Sequence, residues 1–366
     1  MEVFFYQAEC GDAARIRYQG DDGLHYNLFI DSGFERTFRH IIGAELKKIQ
    51  DAGENIVGWI VSHIHDDHIG GVVRYLDTID SGEFTDLVNQ WYYNPPRIYT
   101  PKPEKNVSEG MSIGQGDLLY DYLYKIRKLP QEDITAGDEL PVPLGLKIKV
   151  LSPSPAKLEK LRKKYKHPGI PLEQNEDESV SEAVSAKSHD YNLKLEDFDL
   201  DKWTQDTSVE NGSSISILTT YKGNNILWLA DSHPSDIVKS LKALGYTNKN
   251  KLKCSWVKVT HHGSKGNNSN ALYSLIECEN YLISANGDNN HCLPTKESLA
   301  RIIRNKHRSE GSYYKFYFTY DNQTLRDIFE SESLDIYKKW KFETIFLSEG
   351  KYFEFDVPEG PYPDDV

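Results

Sequence analysis

The run His63-Ile64-His65-Asp66-Asp67-His68 follows an apolar stretch, Ile56 to Ser62, and brings three imidazoles and the carboxylate of Asp67 into six residues. His63 and His65 are two apart, so in extended backbone their side chains share a face. Asp67 and His68 follow in a turn that can swing them toward the same point. Neutral imidazole and carboxylate together suit zinc, and manganese or iron as well. Gly70 and Gly71 let the chain turn tightly into the next helix. A solvated His-rich turn has no reason to alternate at the end of an apolar strand, so a metal site is expected here.

Further candidates lie in the second half. Asp231 ends the apolar run Ile226 to Ala230. A carboxylate at the end of a core strand suits a bridge between two cations, and N-capping of the segment from Pro234 is the plainer alternative. His261 and His262 end another strand, Ser255 to Thr260, where the Gly263 turn breaks the alternation that would place His261 with Val257 and Val259. His291 competes with His262 for closing the site, and otherwise serves as an outer or leaving-group residue.

Weaker features surround these. The lysine-rich run from Lys157 to Lys166 reads as a solvated helix face. Arg301, Arg304, Lys306 and Arg308 either point at bound phosphates or lie on the surface. Tyr92, Tyr93 and Tyr99 either stack on bases, cover a cleft or pack in the core. His233 reads as a helix N-terminal residue, and Cys292 as a small hydrophobe.

The elements that position the candidates alternate between strand and helix. Val3 to Ala8, Ala13 to Tyr18 and Asn27 to Asp31 read as strands separated by Gly and Asp turns. Residues 37 to 52 carry apolar side chains at helical spacing. Tyr92-Tyr93-Asn94-Pro95-Pro96 reads as loop, Leu119 to Leu129 as helix, and Leu146 to Leu151 as strand. Residues 152 to 205 are charged and poor in large aliphatics, which predicts a surface insertion that is helical at its start and mobile after Pro168. The second half repeats the alternation, with a strand pair around Lys222-Gly223-Asn224 and helices at 234–244, 270–277 and 295–307. A helix at 325–340 and a hairpin around Ser348-Glu349-Gly350 close the pattern, with a frayed tail from Pro358.

Composition bounds the rest. The 366 residues are 38% hydrophobic, which excludes wholesale disorder, and carry a formal net charge of −13, which argues against a general polyanion binder. Mean hydropathy is −0.61, and no apolar run is long enough to cross a membrane. The first residues read as a strand rather than a signal peptide, and Cys10, Cys254, Cys278 and Cys292 suggest no disulfide framework, so a cytoplasmic protein is expected.

The HxHxDH run at 63–68 is the signature of the metallo-β-lactamase fold superfamily. The chain further resembles the soluble hydrolase domain of ComEC-type competence proteins and their free-standing relatives. Residues 9–13 resemble that family's early Gly-Asp turn, with Cys10 in place of its Gln. Leu28 to Gly33 resembles its hydrophobic-Asp-Ser-Gly element, and Asn211 to Ile215 its Asn-x-x-Ser entry to a later strand. Leu227 to Asp231 matches the strand that ends in the shared Asp, and Val257 to Ser264 its HHGS element. The family's His-Pro is interrupted here by Cys292 and Leu293.

The resemblance covers residues 1 to about 308 and lacks the membrane channel, so DNA import is not implied. It implies an α/β four-layer αββα sandwich with surface insertions at about 75–140 and 152–205, a hydrolase domain over 1–320, and a C-terminal helix and hairpin extension over 321–366. It implies two divalent metal ions, Zn²⁺ or Mn²⁺. One is held by His63 and His65 and the other by Asp67, His68 and His262, with Asp231 bridging. Asp67, His261 and His291 are the expected catalytic residues, and His261 contacts the substrate phosphate. Many superfamily members add a further His where this chain has Asn211, which leaves the first metal more open. Asp31 is expected to support the ligand loop by hydrogen bonds.

The expected function is a metal-dependent phosphodiesterase or nuclease, with nucleic acid among its substrates and bacterial defence as a setting. Hydrolysis of a small-molecule amide, lactone or thioester is the alternative. A further one is a partner-gated or scaffolding subunit that docks a protein through the charged insertion or the C-terminal extension.

Overall fold

A computed structural model describes residues 1–101, 111–142, 145–165 and 188–357. The expected mobile stretch after Pro168 falls mostly outside them, as does the tail from Pro358. Strands β1 (Glu2–Tyr6), β2 (Ala13–Gln19), β3 (His25–Asp31), β4 (Asn55–Val61) and β5 (Trp91–Tyr93) belong to one sheet. A second sheet takes β6 (Leu146–Ser152), β7 (Ser216–Tyr221) and β8 (Asn224–Trp228). The short strand β9 (Leu252–Lys253) is followed by β10 (Trp256–Lys258), and β11 (Ile276–Glu277) by β12 (Asn280–Ile283). The last strands are β13 (Tyr314–Phe318), β14 (Phe342–Phe346) and β15 (Tyr352–Asp356). The first sheet has the order β15-β1-β2-β3-β4-β5 and the second β14-β13-β12-β10-β8-β7-β6, while β9 and β11 pair separately.

Strand alternation sorts the side chains into layers. Val3, Phe5, Ile16, Leu28 and Ile60 face Ile148, Ile217, Trp228 and Leu282 between the two sheets. Phe4, Tyr6, Phe29, Trp59 and Val61 turn the other way, against Leu46, Ile49, Val72, Leu119 and Leu123. Those residues come from the helical stretch 35–51 and the helices Asp66–Asp80 and Met111–Lys125. On the far side, Leu227, Val257, Ile283 and Phe316 pack on Ile237, Leu241, Leu299 and Ile303 of the helices Pro234–Ala243 and Lys296–Ile303. The result is the expected αββα sandwich.

Several local expectations are corrected. Trp91, Tyr92 and Tyr93 form an edge strand parallel to β4 rather than a loop, because all three rings are buried before Pro95 ends the pairing. The helix after them runs from Met111 to Lys125 rather than over 119–129, and that at 270–277 stops at Tyr273. The helix expected over 325–340 is broken into Gln323–Arg326, a single tight turn and Ile336–Trp340, the last ended by left-handed Lys341.

The C-terminal hairpin does not form: β14 pairs with β13 and β15 with β1, in different sheets. Each strand covers an edge that would otherwise be open, and Phe355 reaches Trp256 and Tyr317 to close the inter-sheet core. By contrast, the β7–β8 pair turns as expected, with Lys222 and Gly223 both at positive φ. Among the described residues no helix is long and apolar enough to cross a membrane.

Candidate metal centre

The carboxyl-end edge of the two sheets gathers the candidates. β3 ends in Asp31, and β4 leads to His63; β8 leads to Asp231, β10 to His261 and His262, and β12 to Ser284. β3 and β4 are parallel, as are β8, β10 and β12, so these ends lie together. Ile215 donates its amide to the Ser62 carbonyl and ties the two sheets at this edge.

His65 is extended, at φ −67° and ψ 144°, and the helix Asp66–Asp80 starts just after it. Asp67 and His68 therefore occupy the first turn, where the helix dipole favours a carboxylate. Asp12 donates its amide to the Asp67 carbonyl at 3.0 Å. Only glycine permits this approach at position 11, since a Cβ there would stand 2.1 Å from the Asp67 oxygen.

The donor atoms form two groups that share Asp231. One is His63, His65 and Asp231; the other is Asp67, His68, Asp231 and His262, with the ligating atoms of each group mutually within 4.8 Å. His63 Nε2 is 3.8 Å from Asp231 Oδ2, and His68 Nε2 is 3.4 Å from it. His262 Nε2 is 3.2 Å from Asp67 Oδ2 and 3.6 Å from Asp231 Oδ1. His261 Nε2 faces Asp231 Oδ2 at 3.6 Å but belongs to neither group. His291 is exposed on a turn at the rim, outside both groups, where the charges of His261, Asp67 and His262 act on its ring. Of the two residues that competed to close the second group, His262 stands in it. Asp231 does not cap the following helix, whose N-cap is His233.

The far side of each ring is anchored. His68 Nδ1 is 2.8 Å from Asp31 Oδ2, and Asp31 also accepts from the Ser62 amide and hydroxyl. His262 Nδ1 donates to the Ser284 carbonyl at 3.0 Å, with Asp12 Oδ1 at 3.3 Å. Lys258 donates to Asp12 from below. Asp12, Asp31 and His68 make a third cluster of possible ligands, but Lys258 already supplies its positive charge and His68 Nδ1 is taken by Asp31. These contacts orient the ligating rings, as outer residues do in metal sites. Asp31, Ala230, His261 and His262 all have positive φ, a concentration of non-glycine strain at about 1–3 kcal/mol each.

The donors fit divalent cations. His63 Nε2, His68 Nε2, His262 Nε2 and Asp231 Oδ1 are buried and have no hydrogen-bond partner among the described residues. Such atoms are costly unless something fills the space between them. Burial lowers the pKa of His63, helped by the charges of His68 and His65. Burial also works to lower His68 and His262, but nearby carboxylates, Asp231 foremost, raise both well above 6.5. In the metal-free chain these carboxylates thus favour the protonated form of both rings.

Binding a cation must release those protons, so affinity is expected to rise with pH, by about tenfold per pH unit for each proton displaced. Calorimetric titration of the metal in buffers of different ionisation enthalpy checks this. Heats that do not depend on the buffer would contradict it.

Other sequence candidates resolve differently. The lysine-rich helix, Pro155–Lys164, is not merely a solvated face. Lys157 Nζ bonds His233 Nδ1 at 2.6 Å, Lys164 pairs with buried Glu210 at 2.9 Å, and Arg162 pairs with Asp133. Arg301 and Arg304 do not aim at the site. They donate to the carbonyls of Leu200, Lys202, Leu195 and Phe198 and so hold down the end of the charged insertion. Tyr92 and Tyr93 are core residues, and Tyr99 stacks on Tyr120. Asp206, Asn267 and Lys258 were not expected at the centre. Asp206 lies just past the charged stretch that reads as solvated, and nothing local marks the other two.

Residues 25–139 match the family model of the metallo-beta-lactamase superfamily. No curated protein sequence matches the chain. Among solved structures, it is similar to CmlA, a diiron beta-hydroxylase from Streptomyces venezuelae, at 11% identity and a TM-score of 0.39, covering 97% of this chain and 54% of that one. It is also similar to a long form RNase Z from yeast, at 10% identity and a TM-score of 0.38, covering 97% of this chain and 48% of that one. The chain thus spans about half the length of both structures. The family match thus covers residues 25–139 of a chain whose two sheets and flanking helices make a four-layer αββα sandwich.

Proposed function

We propose that the protein is a dinuclear metallo-hydrolase that cleaves phosphodiesters, nucleic acid among them. The observation that supports this most is the pair of donor groups sharing Asp231, with buried ligating atoms that lack any partner. Zn²⁺ or Mn²⁺ held by His63, His65 and Asp231, and by Asp67, His68, Asp231 and His262, would supply hydroxide at neutral pH and polarise a substrate oxygen. Asp67 lies at the lip of its group, part-exposed, where its carboxylate can orient the attacking water by a hydrogen bond. His261 presents Nε2 to the same space and would meet charge developing on the phosphoryl group or the leaving oxygen. His291 at the rim would reach a leaving group.

The preference for a phosphodiester rests on the resemblance of the HHGS and Asn-x-x-Ser elements to ComEC-type hydrolase domains. The three-donor first group adds to it, since it leaves coordination positions for water and substrate. Free-standing relatives of those domains in bacterial defence operons extend the proposal to an effector role.

The test is turnover of bis-p-nitrophenyl phosphate, labelled DNA and labelled RNA, beside an ester, a lactone and a thioester, with Mn²⁺ or Zn²⁺ added. Metal-dependent cleavage of the diesters is expected. Hydrolysis of the carbonyl substrates with no diester cleavage would overturn the phosphodiester assignment.

A further inference from the structure

The segment from Asp190 to Ser208 covers the end of the charged insertion and the three residues after it, yet it is strapped onto the second sheet's helices. Asp190 accepts the amides of Lys296 and Glu297, Trp203 Nε1 donates to the Lys265 carbonyl, and the Asp206 amide donates to the Gly266 carbonyl. The strap delivers one carboxylate, Asp206, to a point behind His261, where it is 3% exposed.

The hydrogen bonds there fix the orientation of an amide and, through it, a ring. Asn267 Nδ2 has three acceptors: Asp206 Oδ2 at 3.1 Å, the Asp231 carbonyl at 3.0 Å and the Ser232 carbonyl at 3.4 Å. With its nitrogen held on that side, Asn267 must turn Oδ1 to His261 Nδ1, 2.8 Å away. An amide oxygen only accepts, so Nδ1 carries the proton and Nε2 is left facing Asp231 and the metal groups. Asp206 Oδ2 also accepts from Asn211 Nδ2 at 2.7 Å and lies 3.9 Å from His261 Nδ1.

We propose that Asp206 is a positioning residue for His261. Acting through Asn267, it locks the ring with Nδ1 inward and Nε2 toward the substrate. The inference rests on the phosphodiesterase reading for its consequence, since His261 carrying a second proton on Nε2 would then donate it to the leaving oxygen. Without the Asp206 carboxylate, Asn267 Nδ2 keeps only the carbonyls of Asp231 and Ser232 and loses its one charged acceptor, so its hold on the ring is weakened. The end of the insertion, far from being only a surface feature, thereby leads into a residue that sets part of the reaction geometry.

The test uses Asp206→Ala and Asp206→Asn in the full chain loaded with metal. It compares bis-p-nitrophenyl phosphate, whose leaving group needs little help, with a dinucleotide, whose alkoxide needs much. For Asp206→Ala, metal content is expected to stay unchanged and bis-p-nitrophenyl phosphate turnover within about threefold of the parent. Dinucleotide kcat should fall on the order of 10²-fold, with KM little changed. Asp206→Asn keeps one acceptor for Asn267 and should recover part of that loss. Equal losses on both substrates, or loss of metal, would reduce Asp206 to a structural role and overturn the proposal.

A second readout does not need activity: ¹⁵N spectra of the histidine rings. The parent should show His261 protonated at Nδ1, and Asp206→Ala should shift that signal. An unchanged signal would overturn the proposal. A shifted signal in a chain inactive on both diesters would keep the positioning role while removing the phosphodiesterase reading.

Discussion

Asp231→Ala is expected to lower metal-dependent kcat/KM by on the order of 10³-fold or more, the scale of several kcal/mol that cation catalysis contributes. Both donor groups contain this carboxylate, so its loss removes a ligand from each. The side chain is 1% exposed, and its charge is strongly favoured in place. Burial works to raise its pKa, but His261, His68 and His262 hold it well below the carboxylate range. Taking it away leaves several imidazoles facing one another with no anion between them. His63→Ala should affect the first group alone and His262→Ala the second, so each should retain more bound metal than Asp231→Ala. Elemental analysis beside initial rates checks the series. Parent-like rates in Asp231→Ala would remove the bridging role.

Lys258→Ala is expected to destabilise the fold by about 3–5 kcal/mol, the cost of leaving one partner of a buried ion pair alone. Lys258 and Asp12 are 4% and 7% exposed, and the pair links a strand of the second sheet to the β1–β2 turn of the first. Its loss would leave a buried carboxylate beside His262 with no counter-charge below it. The double variant Asp12→Asn, Lys258→Met removes both charges and should lose less than Lys258→Ala alone. Urea unfolding of the metal-free chains measures this, and a loss under about 1 kcal/mol for Lys258→Ala would mean that the pair is not what joins the sheets here.

The same pair sets an acid limit. Burial works to raise the Asp12 pKa, but Lys258 and His262 hold it well below the carboxylate range. A depressed carboxyl contributes stability that is fully present above its unfolded value near about 4 and is lost as pH falls toward the folded value. Asp12→Asn should therefore flatten the acid side of the stability profile.

The candidate ligands were legible where chemistry is local. Imidazoles alternating at the end of an apolar strand, and a carboxylate ending another, carry their meaning within a few residues. The layers were legible because the strands alternate in hydrophobicity and the helices show their spacing. What stayed hidden depends on distant partners. Lys258 looks like any lysine in a strand until Asp12, 246 positions away, is brought beneath it. Asp206 follows directly on a stretch whose composition signals solvent, and distant partners, among them Arg301, Arg304 and the amides that Asp190 accepts, bind that stretch to the core. The strands β14 and β15 flank a turn-like sequence, yet the open edges of two sheets draw them apart. The rings of Tyr92 and Tyr93 could equally have lined a cleft, and only the neighbouring strand β4 decides that they are core.

The most direct measurement is a metal titration of the chelator-stripped chain, read by elemental analysis after removal of free ions. The two donor groups predict saturation at two divalent ions per chain, falling toward one in His262→Ala. A chain that binds no metal at neutral pH, while remaining folded, would contradict the centre on which the functional account stands.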